Sequence, residues 1–240
     1  MRDRLSSLEV KIFARCSDKE SIVNLAKGPL VQGFLTTPPL MRKAGVKQYE
    51  PYCRELLAAA PHRPFAFDVL SDDIEEMERQ ALRIAAWSPN AYVTLPIANT
   101  RGQNSATLVH RLSKQGVRVN VTAVMTVDQV ESLIPALKNG PPSYVSMLAG
   151  RIADAGCDPV PTICAALTRL RNHPNIELIW SSTRELFNII QADQIGCPII
   201  SVGSGLLKKL PRIGRDLIDL SLETVTACQA ATRESGLTLA

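Results

Sequence analysis

The sequence predicts a single (β/α)₈ barrel, a TIM barrel of the α/β class, and three observations carry the prediction. Eight short apolar runs recur along 240 residues, segments with helical periodicity separate them, and no long linker interrupts the alternation. Strands alternating with helices at this spacing indicate a parallel sheet. Eight such units favour a closed barrel over an open sheet. An open doubly wound sheet would want a Gly-x-Gly-x-x-Gly turn after an early strand, and none is present. One domain over residues 1–240 is expected, with 236–240 as a frayed tail.

The expected strands are 10–14, 31–35, 65–70, 91–95, 117–123, 144–148, 176–180 and 198–202. Most are rich in Val, Ile and Phe, as strands covered on both faces should be. Helix 72–86 places Ile74, Met77, Ala81 and Ile84 on one stripe, with Ser71-Asp72-Asp73 as its N-terminal cap. Segments 126–137 and 183–192 repeat the pattern, each opening on a threonine suited to capping. Glycines and prolines punctuate the joints, as in Gly140-Pro141-Pro142 and Gly196-Cys197-Pro198, where a helix must stop before a strand.

Composition narrows the class. Hydrophobic residues at 45% and charged residues at 21% are ordinary for a globular chain whose core needs no disulfide or metal staple. The formal charge of +4 is spread along the chain, which argues against nucleic acid as a partner. Six cysteines without Cys-x-x-Cys spacing read as reduced thiols. Residues 1–7 are polar and charged, and no run reaches the ~18 apolar residues of a membrane span, so a cytoplasmic protein without a membrane partner is expected. His62, His110 and His173 lie far apart without ligand spacing, and no nucleotide-binding signature occurs. Neither a metal nor a cofactor is expected.

In a barrel of this kind, chemistry sits at the C-terminal ends of the strands. The polar residues there are Arg15, Thr37-Pro38, Asp68, Thr94, Asn120 with Thr122, Ser146 with Arg151, and Ser181-Ser182 with Arg184. Asp68 interrupts an apolar strand, so it is either desolvated toward the mouth, paired with a cation, or a cap for the next helix. Arg15 either reaches over the mouth toward Asp68 or a substrate anion, or turns outward. Ser146, Arg151 and Arg184 read as an anion site, because late βα loops of barrels often hold phosphate. Arg184, expected in the first turn of a helix, is unfavourable against the helix dipole unless an anion is near. The competing reading is a structural ion pair of Arg184 with Asp154 or Glu185.

Six segments in order resemble the transaldolase and fructose-6-phosphate aldolase family, especially its short bacterial members. They are Gly33-Phe34-Leu35-Thr36-Thr37-Pro38-Pro39-Leu40, Phe67-Asp68-Val69, Tyr92-Val93-Thr94-Leu95-Pro96, Asn120-Val121-Thr122, Gly150-Arg151-Ile152-Ala153-Asp154 and Gln191-Ala192-Asp193-Gln194-Ile195-Gly196-Cys197. The resemblance implies a barrel that cleaves or transfers a dihydroxyacetone unit of a sugar phosphate through a lysine imine. It also implies that Ser146, Arg151 and Arg184 hold phosphate, and that Asn120, Thr122 and the strand-three carboxylate Asp68 belong to the reacting centre. Three positions depart from the family pattern. Thr94 stands where the Schiff-base lysine belongs, Arg15 replaces the strand-one aspartate, and Pro38 replaces the asparagine of the Thr-Thr-Asn-Pro turn.

A hydroxyl cannot form an imine, and no other lysine obviously substitutes. Lys11 is expected at the bottom of strand one, Lys43 and Lys47 after strand two, and Lys208 and Lys209 on a helix after strand eight. The reading that follows is an enzyme acting on a phosphorylated sugar or related small carbonyl compound without a Schiff base, by an enolisation, isomerisation, dehydration or aldol-type step. Its reacting set is Asp68, Arg15, Thr122, Asn120 and Thr94. The alternatives are a non-catalytic sugar-phosphate binder or assembly partner, and an ordinary transaldolase or aldolase. The resemblance further implies a homo-oligomer, with the amphipathic segment 216–231 as an exchange arm.

Overall fold

The computed structural model describes Leu5 and residues 7–238; the remaining residues of the expected polar N-terminus and the last two of the expected tail lie outside it. Eight strands close into one barrel in sequential order: β1 Lys11–Arg15, β2 Val31–Leu35, β3 Phe65–Asp68, β4 Ala91–Pro96, β5 Val119–Val124, β6 Ser143–Met147, β7 Ile176–Trp180 and β8 Ile199–Gly203. Every neighbouring pair is parallel, and β8 closes on β1 with Lys11 opposite Ile199 and Arg15 opposite Gly203. The helices are α1 Lys19–Ala26, α2 Pro38–Lys43, α3 Tyr49–Ala59, α4 Ile74–Ala85, α5 Ala106–Lys114, α6 Val127–Leu137, α7 Ala149–Asp154, α8 Pro159–Leu170, α9 Phe187–Gln194, α10 Ser204–Leu207 and α11 Leu217–Ser235.

Period-two alternation divides each strand between two cores. Outward residues such as Ile12, Phe34, Phe67, Val93 and Val145 pack under the helices. Inward residues Phe13, Leu35, Ala66, Tyr92, Tyr144, Ile179 and Ile199 fill the barrel as a separate cluster. Tyr92 and Tyr144 stack at 4.2 Å, and Phe13 meets Tyr144 edge-on at 5.5 Å. Gly33 makes room for this layer, because a Cβ there would come within 2.6 Å of the Phe13 ring. The barrel below the mouth is therefore a packed plug.

Capping explains where most helices begin. Asp73 accepts from the amides of Glu75 and Glu76 and opens α4. Thr126 and Gln129 form a reciprocal capping box at α6. The expected helix 183–192 is corrected to α9, which starts at Phe187. Thr183 is no cap, because its buried hydroxyl donates to the Ser201 carbonyl at 2.6 Å and ties the loop to β8. Asn188 instead accepts from the amides of Arg184 and Glu185. Strand β3 ends at Asp68, two residues earlier than expected, since the Leu70 amide donates to the Gln80 side chain.

Gly236, at φ +66°, stands in the left-handed region and ends α11. Along α11 no residue is buried, and Leu217, Ile218, Leu222 and Val225 are at least 62% exposed. Among the described residues, no helix is long and apolar enough to cross a membrane.

Candidate functional site

Two residues beyond the aromatic layer, each strand presents its next inward side chain. The step from Phe13, Ala66, Tyr92, Tyr144, Ile179 and Ile199 leads to Arg15, Asp68, Thr94, Ser146, Ser181 and Ser201. With Leu35, Thr36, Thr37, Asn120, Thr122, Leu148 and Ser182 they line a cavity of about 130 Å³ at the C-terminal end of the barrel. The layer changes from aromatic and aliphatic to hydroxyl, amide, carboxyl and guanidinium within one inward step.

From β3 to β6 these groups form a directed chain. The Ser146 hydroxyl donates to Asn120 Oδ1 at 2.8 Å, and Asn120 Nδ2 donates to Thr94 Oγ1 at 3.0 Å. The Thr94 hydroxyl is then hydrogen-bonded to the Asp68 carboxyl. Ser146, Asn120 and Thr94 are all buried. Such groups are costly without partners, and here each has one. Burial pushes the Asp68 carboxyl up to about 7, with the Thr94 hydrogen bond opposing part of the rise. Its backbone carbonyl is fixed from outside the barrel by the Tyr49 hydroxyl at 2.8 Å.

The β7, β8 and β1 side is built differently. Ser181 and Ser201 are buried, 3.4 Å apart, with Arg15 at the mouth beside them. A Cβ on Gly203 would sit 3.8 Å from an Arg15 nitrogen, so the side chain runs past a position that carries no side chain of its own. Arg15 lines the cavity, yet among the described residues it has no ion pair or hydrogen bond through its guanidinium; the expected reach to Asp68 is not made. Burial, and then the charge of Arg184, hold the Arg15 guanidinium below its ordinary value.

Of the expected phosphate trio, Ser146 alone is on the cavity wall. Ser146 lies buried in the chain already described, while Arg151 and Arg184 stand outside the cavity lining. Arg184 lies in the β7–α9 loop, before α9 rather than in its first turn, and it pairs with Asp154. That is the structural ion pair weighed above, and both partners are about half exposed. Arg151 is exposed on α7 without an ion pair among the described residues. Gly150 lets α7 and the loop approach, because a Cβ there would collide with the Ser182 carbonyl and lie 2.7 Å from Arg184 Nε.

Two residues bordering the mouth have left-handed backbones, Ala123 at φ 62° and Ser182 at φ 63°. Strain of this kind costs of order 1–3 kcal/mol per residue and persists only where the surroundings enforce it. Ala123 coincides with the break in register between β5 and β6, which follows Val121. Pro38 occupies the first turn of α2, with Thr37 as N-cap, so that turn presents no side-chain amide to the mouth. Ser201, not among the strand-end residues named from the sequence, stands one inward step on from Ile199.

Known proteins resemble the chain along most of its length. The profile of the Transaldolase/Fructose-6-phosphate aldolase family matches residues 12–238. A protein of Dehalococcoides mccartyi named "Probable transaldolase" is 30% identical over 202 residues, covering 84% of this chain and 90% of its own. "Probable transaldolase 2" of Listeria monocytogenes is 27% identical over 202 residues, covering 84% of this chain and 88% of its own. "Probable transaldolase" of Methanococcus maripaludis is 28% identical over the same length, with 84% and 89% covered. A solved structure from Burkholderia cenocepacia J2315, a protein of assumed lyase/mutase type, superposes with a TM-score of 0.60 over 98% of this chain and 87% of its own. At 12% identity that likeness concerns the fold alone.

Proposed function

The chain belongs to the transaldolase/fructose-6-phosphate aldolase family, and on that premise we propose that it acts on a phosphorylated sugar or related small carbonyl compound by proton transfer without a Schiff base. The single observation that carries this reading is the environment of Asp68. A carboxyl titrating at about 7, at the end of a fixed hydrogen-bond chain and on the cavity wall, is suited to give and take protons at neutral pH. The nucleophile position holds Thr94, whose hydroxyl sits between Asn120 and Asp68. No lysine lines the cavity among the described residues, and Lys11 is paired with Glu177 away from the mouth.

In this reading the Asp68 carboxylate takes a proton from the carbon next to the substrate carbonyl. The C–H electrons form the enolate, and negative charge develops on the carbonyl oxygen. Asn120, Thr94 and Ser146 hold Asp68 in place, with Thr122 on the adjoining wall. Arg15 is the cation within the cavity and faces negative charge on the substrate. Isomerisation follows when the adjacent hydroxyl passes its proton to the enolate oxygen and Asp68 returns its proton to the former carbonyl carbon; dehydration follows when the β-hydroxyl leaves as water, taking up the proton held on Asp68. Arg184, whose charge acts on Arg15, stands beside the mouth, where a phosphate emerging from the cavity would reach it if Asp154 yields it.

Deuterium incorporation from heavy water into dihydroxyacetone phosphate and glyceraldehyde 3-phosphate, followed by NMR, tests the proposal. Exchange by the wild type, lost in Asp68→Asn, is expected. Binding of both compounds without exchange would instead support the second reading, a non-catalytic sugar-phosphate binder or assembly partner. The apolar residues exposed along α11 favour assembly in either case, and we include a homo-oligomer in the proposal.

A further inference from the structure

We propose that the substrate carries a carboxylate in addition to its phosphate, and that Arg15 binds that carboxylate inside the cavity. This inference rests on reading the mouth as the binding site for a phosphorylated compound, and it narrows the substrate to small phosphorylated acids. Four observations support it. First, Arg15 lines the cavity while Arg151 and Arg184 do not, so a charged group within the cavity and a phosphate at its rim meet different cations. Second, no carboxylate among the described residues lies in ion-pair range of Arg15, although Asp68 shares the same cavity wall.

Third, the chemistry of a guanidinium makes its unmatched state informative. It presents five donors in a planar fork that suits the two oxygens of a carboxylate. A cation partly withdrawn from water, next to a second cation, is disfavoured, and a neutral sugar hydroxyl does not offset the charge. Arg15 is exposed to solvent at the mouth, so its guanidinium is open to a ligand, while partial burial and then the charge of Arg184 press on it in this direction. The Ser181 hydroxyl, which accepts from Ser201 and keeps its own hydrogen, adds a donor suited to the same oxygens. Fourth, size agrees. A cavity of about 130 Å³ is well below the ~300 Å³ at which pockets for larger ligands begin, so it takes the end of a three- or four-carbon compound.

The two ends of the cavity then have separate tasks. The carboxylate anchors on the β8–β1 side, and the carbon beside it faces Asp68 on β3. Nothing is oxidised or reduced, and the proton that leaves carbon resides on Asp68.

Calorimetric titration of two matched probes tests the proposal. 3-Phosphoglycerate and sn-glycerol 3-phosphate share a three-carbon phosphate skeleton and differ in carboxylate against hydroxymethyl. The wild type is expected to bind 3-phosphoglycerate at least about tenfold more tightly, a difference of ~1.4 kcal/mol. Arg15→Met, which keeps the length of the stem, is expected to erase that preference while leaving glycerol 3-phosphate affinity unchanged. A melting curve checks that the variant is folded, and Arg15→Lys gives a second variant with the charge but not the fork. Equal binding of both probes by the wild type overturns this inference while leaving the phosphorylated-substrate reading intact. Equal loss of both probes in Arg15→Met also overturns it, placing Arg15 in the phosphate site. Failure of the wild type to bind either probe overturns both readings.

Discussion

On the β3–β6 side of the mouth every buried polar side chain passes a hydrogen to its neighbour, from Ser146 through Asn120 and Thr94 to Asp68. On the β7–β8–β1 side the hydroxyls of Ser181 and Ser201 barely touch, and Arg15 stands without a partner among the described residues. The two sides occupy the same layer of the same barrel and are reached by the same inward step along each strand. Their difference teaches what each is prepared for. A chain closed upon itself fixes one group, the Asp68 carboxyl, in position and protonation state. A side with an unmatched cation is completed by a ligand.

The largest effect is expected from Asp68→Asn. Exchange of substrate protons should fall by about 10²–10⁴-fold, read by NMR, if proton transfer rests on this carboxyl. Folding stability gives an independent measurement with a definite sign. The folded carboxyl titrates at about 7 against an ordinary 3.8, so between those values the folded chain binds more protons than the unfolded chain. Stability attributable to Asp68 is therefore lost as pH rises from about 4 to about 7, and it stays low above that window. Asp68→Asn should melt higher than wild type at pH 8, by ~4 kcal/mol at most, and the advantage should vanish near pH 4.

Next in size is Asn120→Ala, which removes the middle of the chain and leaves the Ser146 and Thr94 hydroxyls without their amide. A loss of ~1–3 kcal/mol in chemical denaturation is expected. Thr94→Val keeps the shape but deletes the hydroxyl that lowers the Asp68 value. The ascending limb of its pH–rate profile should move to higher pH. Thr94→Lys should not restore transaldolase turnover, because the new ammonium would enter a mouth that already holds Arg15. The smallest effect belongs to Asp154→Asn at the half-exposed pair with Arg184, worth ~0–1 kcal/mol to stability. An accompanying gain in phosphate affinity would show that Asp154 competes for Arg184.

Barrel architecture was legible because each strand carries its own evidence as a short apolar run covered on both faces, and because caps such as Thr126 and Asp73 act within four residues. The positions of Asp68, Thr94, Asn120 and Ser146 at strand ends were legible for the same reason. The hydrogen-bond chain among them was not, since it joins residues 26 apart across neighbouring strands and depends on register. The start of the helix after β7 was not legible, although the ion pair of Arg184 with Asp154 was among the readings of the sequence. Thr183 looks like a cap in sequence, but its hydroxyl is drawn to the Ser201 carbonyl, a partner 18 residues away. Strain at Ala123 and Ser182 leaves no mark in residue type, as neither is glycine.

Chemistry without an imine is the central claim for this barrel. Wild-type protein incubated with fructose 6-phosphate and sodium borohydride, then weighed intact by mass spectrometry, measures this directly, because only an imine is trapped as a stable amine. An unchanged mass is predicted. A reduced sugar-phosphate adduct on any lysine would contradict the account.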